Sequence, residues 1–471
     1  MTPRKLFLAG RWVDSGRTLS VQSPWDGASI AEVASAAEEH LDQAAEAAVQ
    51  AFRQGAPPPH VRAGVLLAVA AELRARHEEA SRLVAAEAGK PVRDARREVD
   101  RAIGTFLVSA DEARRIGGEV IPLDALDAGQ GKVGFTRRFP AGAVLGISPF
   151  NFPLNLVAHK VAPAIAAGCP MVLKPASKTP LSALLLAEIV EHAGAPPGAL
   201  SVVPCDRAVG DRLVADERFA VLTFTGSPEV GWAMRARAGR KRVVLELGGN
   251  AAVIVHEDAD LPRAADRITA GAFGHAGQSC ISVQRVYAHE RVEPALRDLL
   301  LARARALRVG DPLAEDTDVG PMIDLGQAQR AESWIAEATG GGARVLLGGE
   351  RRGTLLPPTL LCDARPDMKV CAKEVFAPVA VLSSYTDFAD ALRQVNDSDY
   401  GLQAGVFTRD FARIWRAFET LEVGAVLVNE VPTWRVDHMP YGGVKASGTG
   451  REGPRFAIED YTELRLLAVH L

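Results

Sequence analysis

The sequence predicts an α/β chain built from two doubly wound parallel-sheet units and a small β arm. Three observations lead there. Over residues 142–254, short β-rich runs alternate strictly with helix-like stretches, the pattern of a parallel sheet covered on both faces. The alternation resumes over about residues 260–444 with a second set of strands. Between the N-terminal helices and the first unit, residues 119–139 lose helical periodicity and read as an extended hairpin with a Gly-rich turn. A length of 471 residues calls for two or more domains.

Taken in order, residues 6–35 hold short strands with turn signals, for example LFLAGRWV before Asp14-Ser15-Gly16. Residues 38–52 turn helical, with Leu41, Ala45, Ala48 and Phe52 on one face. A second long helix is predicted over 61–87, stopped by Gly89-Lys90-Pro91. A third covers 92–116, with Val99, Ile103, Phe106 and Ala110 on its face. All three read as scaffold. In the first α/β unit the strand-like runs are AVLGIS, MVLKPA, LSVVP, VLTFTG, RVVLEL and AVIVH. Ligands of such sheets bind beyond the carboxyl ends of the strands. The notable residues fall there: Asn151 after the first run, Lys174 in the second, Gly226-Ser227 after the fourth and Glu246 in the fifth. The second unit holds an Ala-rich helix, strands at 282–289, 343–347, 380–384, 404–408 and 425–429, and a helix at 293–307. The tail, 462–471, reads as a strand able to partner the 119–139 arm. Such an arm suits either pairing with another subunit or an ordinary surface hairpin.

A net charge of −4 offers no basic surface for nucleic acid or membrane. No apolar run is long enough to cross a bilayer, and the apolar part of MTPRKLFLAGRWVDSG is too short for a signal peptide. The five cysteines (Cys169, Cys205, Cys280, Cys362, Cys371) form no CxxC or Cys/His cluster, which fits a reducing cytoplasm and implies no metal site.

Four of these cysteines sit in or beside apolar strand-like runs and read as small core residues. Cys280 differs. Residues 274–285, GHAGQSCISVQR, place it in a Gly/Ser/Gln loop between a helix and a strand. Some thirty residues upstream, LELGGN at 245–250 ends a strand on Glu246 and two glycines. A thiol at a loop mouth and a carboxylate at a strand end suit thioester chemistry, in which the thiolate attacks and the carboxylate activates water.

GQSC at 277–280 and LELGGN at 245–250 are joined by SPFNFP at 148–153, LKPASKTP at 173–180 and TFTGSPEVG at 223–231. KEVFAPV at 373–379 and PYGGVKASGTGREG at 440–453 complete the set. Together, in this order, they resemble the aldehyde dehydrogenase superfamily across most of the chain. The resemblance implies a cofactor-binding domain (1–118 and 140–248) and a catalytic domain (249–445). It also implies an oligomerisation arm (119–139 and 455–471) and assembly into a homodimer or homotetramer. It makes Cys280 the nucleophile and Glu246 the base that activates the deacylating water and assists thiol deprotonation. It makes Asn151, with the Cys280 backbone N–H, the oxyanion donor. Lys160 and Glu452 match a proton-relay pair, with a surface ion pair as the alternative reading.

No GxGxxG is present. Gly226, Ser227 and Gly231 instead open a helix whose N-terminus suits a pyrophosphate. The resemblance places Lys174 at the adenosine ribose, Glu374 and Phe376 at the nicotinamide end, and Leu247 and Gly248 in the same cofactor site. Ser177 stands where NAD-specific members often carry glutamate. With Lys178 beside it, NADP is expected to be accepted along with NAD.

The helix that follows Asn151 carries Asn155 and His159 four apart. In the family this face, with Phe152 and Leu156, lines the aldehyde tunnel. Trp434, Arg435 and His438 are expected at its mouth, with Arg435 facing an anionic tail or simply pairing with Asp437. The implied substrate is a short, hydroxylated or carboxylated aldehyde, in the manner of the lactaldehyde and semialdehyde branches. Ser279 and Ile281 beside the cysteine carry no charge, which disfavours a phosphorylated substrate. Two other functions stay open on sequence: a CoA-acylating semialdehyde dehydrogenase, against which Glu246 argues, and an inactive binding protein on the same fold.

Overall fold

The computed structural model describes residues 3–471. Two sheets carry the molecule. The first has eight strands, of which five are parallel and neighbours in the order Leu200–Val202, Met171–Lys174, Ala143–Ile147, Phe219–Thr225, Arg242–Glu246. Their near-continuous apolar composition is what a sheet buried on both faces requires. Antiparallel strands close both edges, Leu6–Leu8 on one side and Gly448–Thr449 on the other. The second sheet has seven strands centred on Ala252–Val255, Arg285–His289 and Val379–Tyr385.

The run AVIVH, expected as the sixth strand of the first unit, belongs to the second sheet. Ala252–Val255 pairs with Arg285–His289 and Gln403–Phe407. The turn after Glu246 carries the chain from one sheet to the other, and an apolar run does not record which sheet it joins. Strand Thr359–Cys362 was not singled out from the sequence.

The helix expected over 61–87 is two, Pro59–Ala75 and His77–Ala88. Arg76 leaves helical geometry at φ −101°, ψ 23°, and its guanidinium is tied to Glu79 and Glu188. No glycine or proline marks the break, so hydrophobic periodicity runs through it. Helix Val92–Arg115 buries Val99, Ile103, Phe106 and Ala110. Each large side chain of this kind stabilises the fold by about 1.5–3 kcal/mol.

The arm pairs with the tail. Strand Thr462–His470 runs antiparallel to Lys132–Pro140 along its whole length, from Thr462 opposite Pro140 to His470 opposite Lys132. Its other edge is open, and Leu464, Leu466 and Leu467 are exposed.

Candidate active site

The carboxyl ends of the first sheet face a cavity of about 790 Å³ that residues of the second unit also line. Cys280, Glu246, Asn151, Phe152, Asn155 and Leu156 line it, as do Gly226, Ser227, Leu247, Gly248, Glu374, Phe376, Arg435 and Glu452.

Cys280 sits on a loop held in strained geometry. His275 and Ala276 adopt φ of 50° and 51°, and such non-glycine left-handed residues cost on the order of 1–3 kcal/mol each. Gly277 is obligatory: at φ 66° a Cβ would lie 2.0 Å from the Ala377 carbonyl oxygen. Gln278 pins the loop, its amide donating to the His275 and Pro321 carbonyls and accepting from Ile323 N–H at 2.8 Å. The Cys280 sulfur is half-buried and lies 3.0 Å from the Tyr441 hydroxyl. Burial pushes its thiol up to about 12, with Glu374 and Glu246 adding to the rise while the Tyr441 hydrogen bond and Arg435 oppose it.

Glu246 ends strand Arg242–Glu246 and lines the same cavity as Cys280, and the glycines that follow it let the chain pass close to the cysteine loop: a Cβ on Gly249 would meet the Cys280 carbonyl oxygen at 2.6 Å. Neither Glu246 carboxylate oxygen has a hydrogen-bond partner. Burial, then the neighbouring Glu452, raises this carboxyl well above the ordinary 4.5, against the pull of Arg435 and Lys160. Burial also works to raise Glu452, but His159, Arg435 and Lys160 outweigh it and hold that carboxyl below its ordinary value. Of the two, Glu246 is the more readily protonated and Glu452 the more readily ionised.

Asn151 is buried and donates from Nδ2 to the Gln278 carbonyl at 2.9 Å, which ties it to the cysteine loop. Lys160 and Glu452 do not form the surface ion pair offered as an alternative. Both are buried, and Lys160 Nζ donates to Thr223 and Thr225 hydroxyls at 3.1 and 2.8 Å. Glu452 is bound instead by Arg435 Nη1 at 3.4 Å. Packing decides this, since the lysine points inward under the sheet.

The tunnel residues divide. Phe152 and Leu156 line the cavity. His159 does not: its Nε2 lies 2.8 Å from Asp437 Oδ1, and the ring is fully buried. Asn155 touches the cavity edge while its Nδ2 donates to the same carboxylate at 3.2 Å. Asp437 also receives Arg101, so the polar helix face satisfies a buried carboxylate. Trp434 and His438 are exposed, and Trp434 lies beside the Arg267–Glu430 pair in a separate surface depression. Arg435 is buried, with its guanidinium 3.8 Å from the Tyr441 ring centre.

Several groups on the cavity wall were missed. Lys90 pairs with buried Glu98 and lies 3.7 Å from the Phe152 ring centre. Glu98 also accepts the Leu154 and Asn155 N–H groups at 2.9 and 3.1 Å, satisfying the start of helix Asn155–Ala167. Arg97 and Arg101 reach the cavity from helix Val92–Arg115. Their spacing of four was the available signal, obscured by reading that helix for its apolar face alone. Tyr441 was likewise passed over inside a motif quoted for its glycines.

At the cofactor end, Ser227 caps helix Pro228–Arg237 without spending its hydroxyl on the cap. The helix N-terminus is therefore free to take a phosphate. Gly231 is needed for packing, since a Cβ would fall 2.4 Å from Leu247. A Cβ on Gly248 would fall 2.2 Å from the Glu374 carboxylate, which accepts Gly249 N–H at 3.0 Å. Burial raises that carboxyl to about 7. Phe376 stands edge-on to Phe150 at 5.9 Å. Lys174 is buried at its strand end, and Ser177 donates to the Cys205 carbonyl at 2.9 Å. Lys178 is exposed and paired with Asp324. This groove, with an open helix N-terminus at one end and a glycine-cleared carboxylate at the other, fits a dinucleotide.

Comparison with known proteins agrees. Residues 12–467 match the aldehyde dehydrogenase family. The chain is 44% identical to the 3-sulfolactaldehyde dehydrogenase of Priestia aryabhattai, covering 99% of this chain and 98% of that protein. It is 45% identical to aldehyde dehydrogenase 21 of Physcomitrella patens, solved with the reaction product succinate. That structure superposes with a TM-score of 0.98 over 100% of this chain and 99% of the other. A glyceraldehyde-3-phosphate dehydrogenase of Methanocaldococcus jannaschii, solved with NADP, is 36% identical, with a TM-score of 0.93 over 97% and 100% of the two chains. The chain belongs to the aldehyde dehydrogenase family. It is an NAD(P)-dependent enzyme that oxidises an aldehyde to the carboxylic acid. No helix among the described residues is long and apolar enough to cross a membrane.

Proposed function

We propose that the substrate is a short aldehyde with an anionic tail and that Cys280, Glu246 and Asn151 carry the chemistry. The observation that supports the substrate class is the cavity wall: Arg97, Arg101 and Arg435 line the same cavity as Cys280. A sulfonate or carboxylate there would gain charge-assisted hydrogen bonds. Two relatives fit this choice, one named for sulfolactaldehyde and one solved with succinate.

In this reading a base takes the Cys280 proton, and the thiolate adds to the carbonyl carbon, forming the S–C bond as the π pair moves to oxygen. The second N–H of Asn151 Nδ2 stabilises that oxygen. Addition is required because an aldehyde carbon holds no donatable hydride until it becomes tetrahedral. The bound nicotinamide supplies the hydride acceptor. The carbonyl then re-forms as a thioester on Cys280. Glu246, once ionised, takes a proton from water, water oxygen bonds to the acyl carbon, and the C–S bond breaks with its pair returning to sulfur. The Ser227 helix end, Lys174 and Glu374 hold the dinucleotide. The first sheet with its helices serves as the cofactor unit and the second as the catalytic unit. The open edge of Thr462–His470 supports a homo-oligomer joined through the arm.

The test is a panel of sulfolactaldehyde, succinic semialdehyde, lactaldehyde and propionaldehyde with NADP or NAD, with and without CoA, on wild type and Cys280→Ala. The expected pattern is higher kcat/KM for anionic aldehydes, free acid as product without CoA, and no turnover in the variant. Equal kcat/KM for propionaldehyde would overturn the substrate class, and turnover by Cys280→Ala would overturn the nucleophile.

A further inference from the structure

Tyr441 is placed with unusual firmness for a residue in a glycine-rich loop. Its backbone is bridged to Glu452 in both directions, N–H to carbonyl at 3.1 and 2.6 Å. Its ring lies under the Arg435 guanidinium and packs with Ile281 and Leu402. Only 3% of the residue is exposed. All of this aims one hydroxyl at one atom, the Cys280 sulfur, at 3.0 Å.

We propose that Tyr441 is a catalytic residue, donating its hydroxyl hydrogen bond to the Cys280 thiolate whenever the sulfur carries charge. The proposal rests on Cys280 being the nucleophile. In the resting thiol either group can donate; once the sulfur ionises, only the tyrosine can. Burial, then the neighbouring Cys280, holds the phenol well above its ordinary 10, which favours a protonated hydroxyl facing the sulfur. A bond to a charged acceptor is roughly twice as strong as one to a neutral acceptor. The hydroxyl therefore favours the two moments of charge on sulfur. In the first, the thiol is ionised before the S–C bond forms. In the second, the pair returns to sulfur as the C–S bond of the thioester breaks. Between them the acylated sulfur is a weak acceptor and the bond slackens, so the effect is differential. Among the described residues, no other hydroxyl is placed on this atom. The charged and titratable groups facing it are Tyr441, Glu374, Glu246 and Arg435. Glu246 and Glu374 oppose ionisation of the sulfur when they are themselves ionised, and Arg435, stacked on the tyrosine ring, favours it.

The experiment is the pH profile of iodoacetamide labelling at Cys280, read by peptide mass spectrometry, in wild type and Tyr441→Phe. The phenylalanine keeps the ring on Arg435, and melting temperature and cofactor affinity are measured alongside. The labelling midpoint should rise by about one pH unit or more, and kcat near neutral pH should fall about tenfold or more, with cofactor affinity unchanged. Glu246, Glu374 and Arg435 are common to both proteins, so the difference reports the hydroxyl. 3-Fluorotyrosine at position 441, a stronger donor, should move the midpoint down. An unmoved midpoint in both would overturn the role of Tyr441. Retained aldehyde oxidation by Cys280→Ala would instead remove the nucleophile on which the role depends.

Discussion

Replacing Glu246 with glutamine separates the two halves of the proposed reaction. The side chain keeps its shape, and neither carboxylate oxygen is hydrogen-bonded, so the change removes no existing bond. Because burial and the neighbouring Glu452 favour the neutral form of this carboxyl, a neutral amide is a close replacement for it. Stability should therefore change by less than about 1 kcal/mol. What is lost is the base. General base catalysis contributes about 10²- to 10⁴-fold, or roughly 3–5 kcal/mol of barrier. Stopped-flow absorbance of the reduced cofactor should show a burst near one equivalent per active site, followed by a steady rate lower by that factor. Mass spectrometry should find the acyl group on Cys280. The pH dependence follows with its sign. Glu246 becomes a base only as pH rises through its elevated value, so the wild-type steady rate should climb along a limb with apparent pKa above 4.5. That limb belongs to the Glu246–Glu452 pair rather than to one group. The variant should lose it. A variant with no burst and no acyl-enzyme would refute this, by showing that Glu246 is needed before the hydride leaves.

Two further substitutions test the surroundings. Ser177→Glu should shift the NADP/NAD ratio of kcat/KM toward NAD, because a carboxylate there repels a 2′-phosphate; an unchanged ratio would show the ribose lies elsewhere. Glu98→Ala should cost about 3–5 kcal/mol in urea unfolding, since it strands buried Lys90 and leaves the Leu154 and Asn155 N–H groups without their acceptor; a loss under about 1 kcal/mol would mean the pair is dispensable.

The strand-end logic of the parallel sheet carries over directly from the sequence. Asn151, Lys174, Ser227 and Glu246 all stand at or beyond the carboxyl ends of their strands, because short apolar runs with intervening helices allow little else. The break at Arg76 and the assignment of Ala252–Val255 to the second sheet were not legible. Both depend on partners distant in sequence: Glu188 for the arginine, and Arg285–His289 with Gln403–Phe407 for the strand.

The sequence by itself determined the chemistry-bearing residue types and the order in which they occur, since each lies in a local motif whose spacing survives without a fold. Only the tertiary structure decided their relations. It turned His159 and Asn155 toward Asp437, buried Lys160 against Thr223 and Thr225, and gave Glu452 to Arg435. It also brought Tyr441 to Cys280 across 161 positions of chain. A buried polar group must find its partner wherever packing offers one, and that choice is made between segments rather than within them.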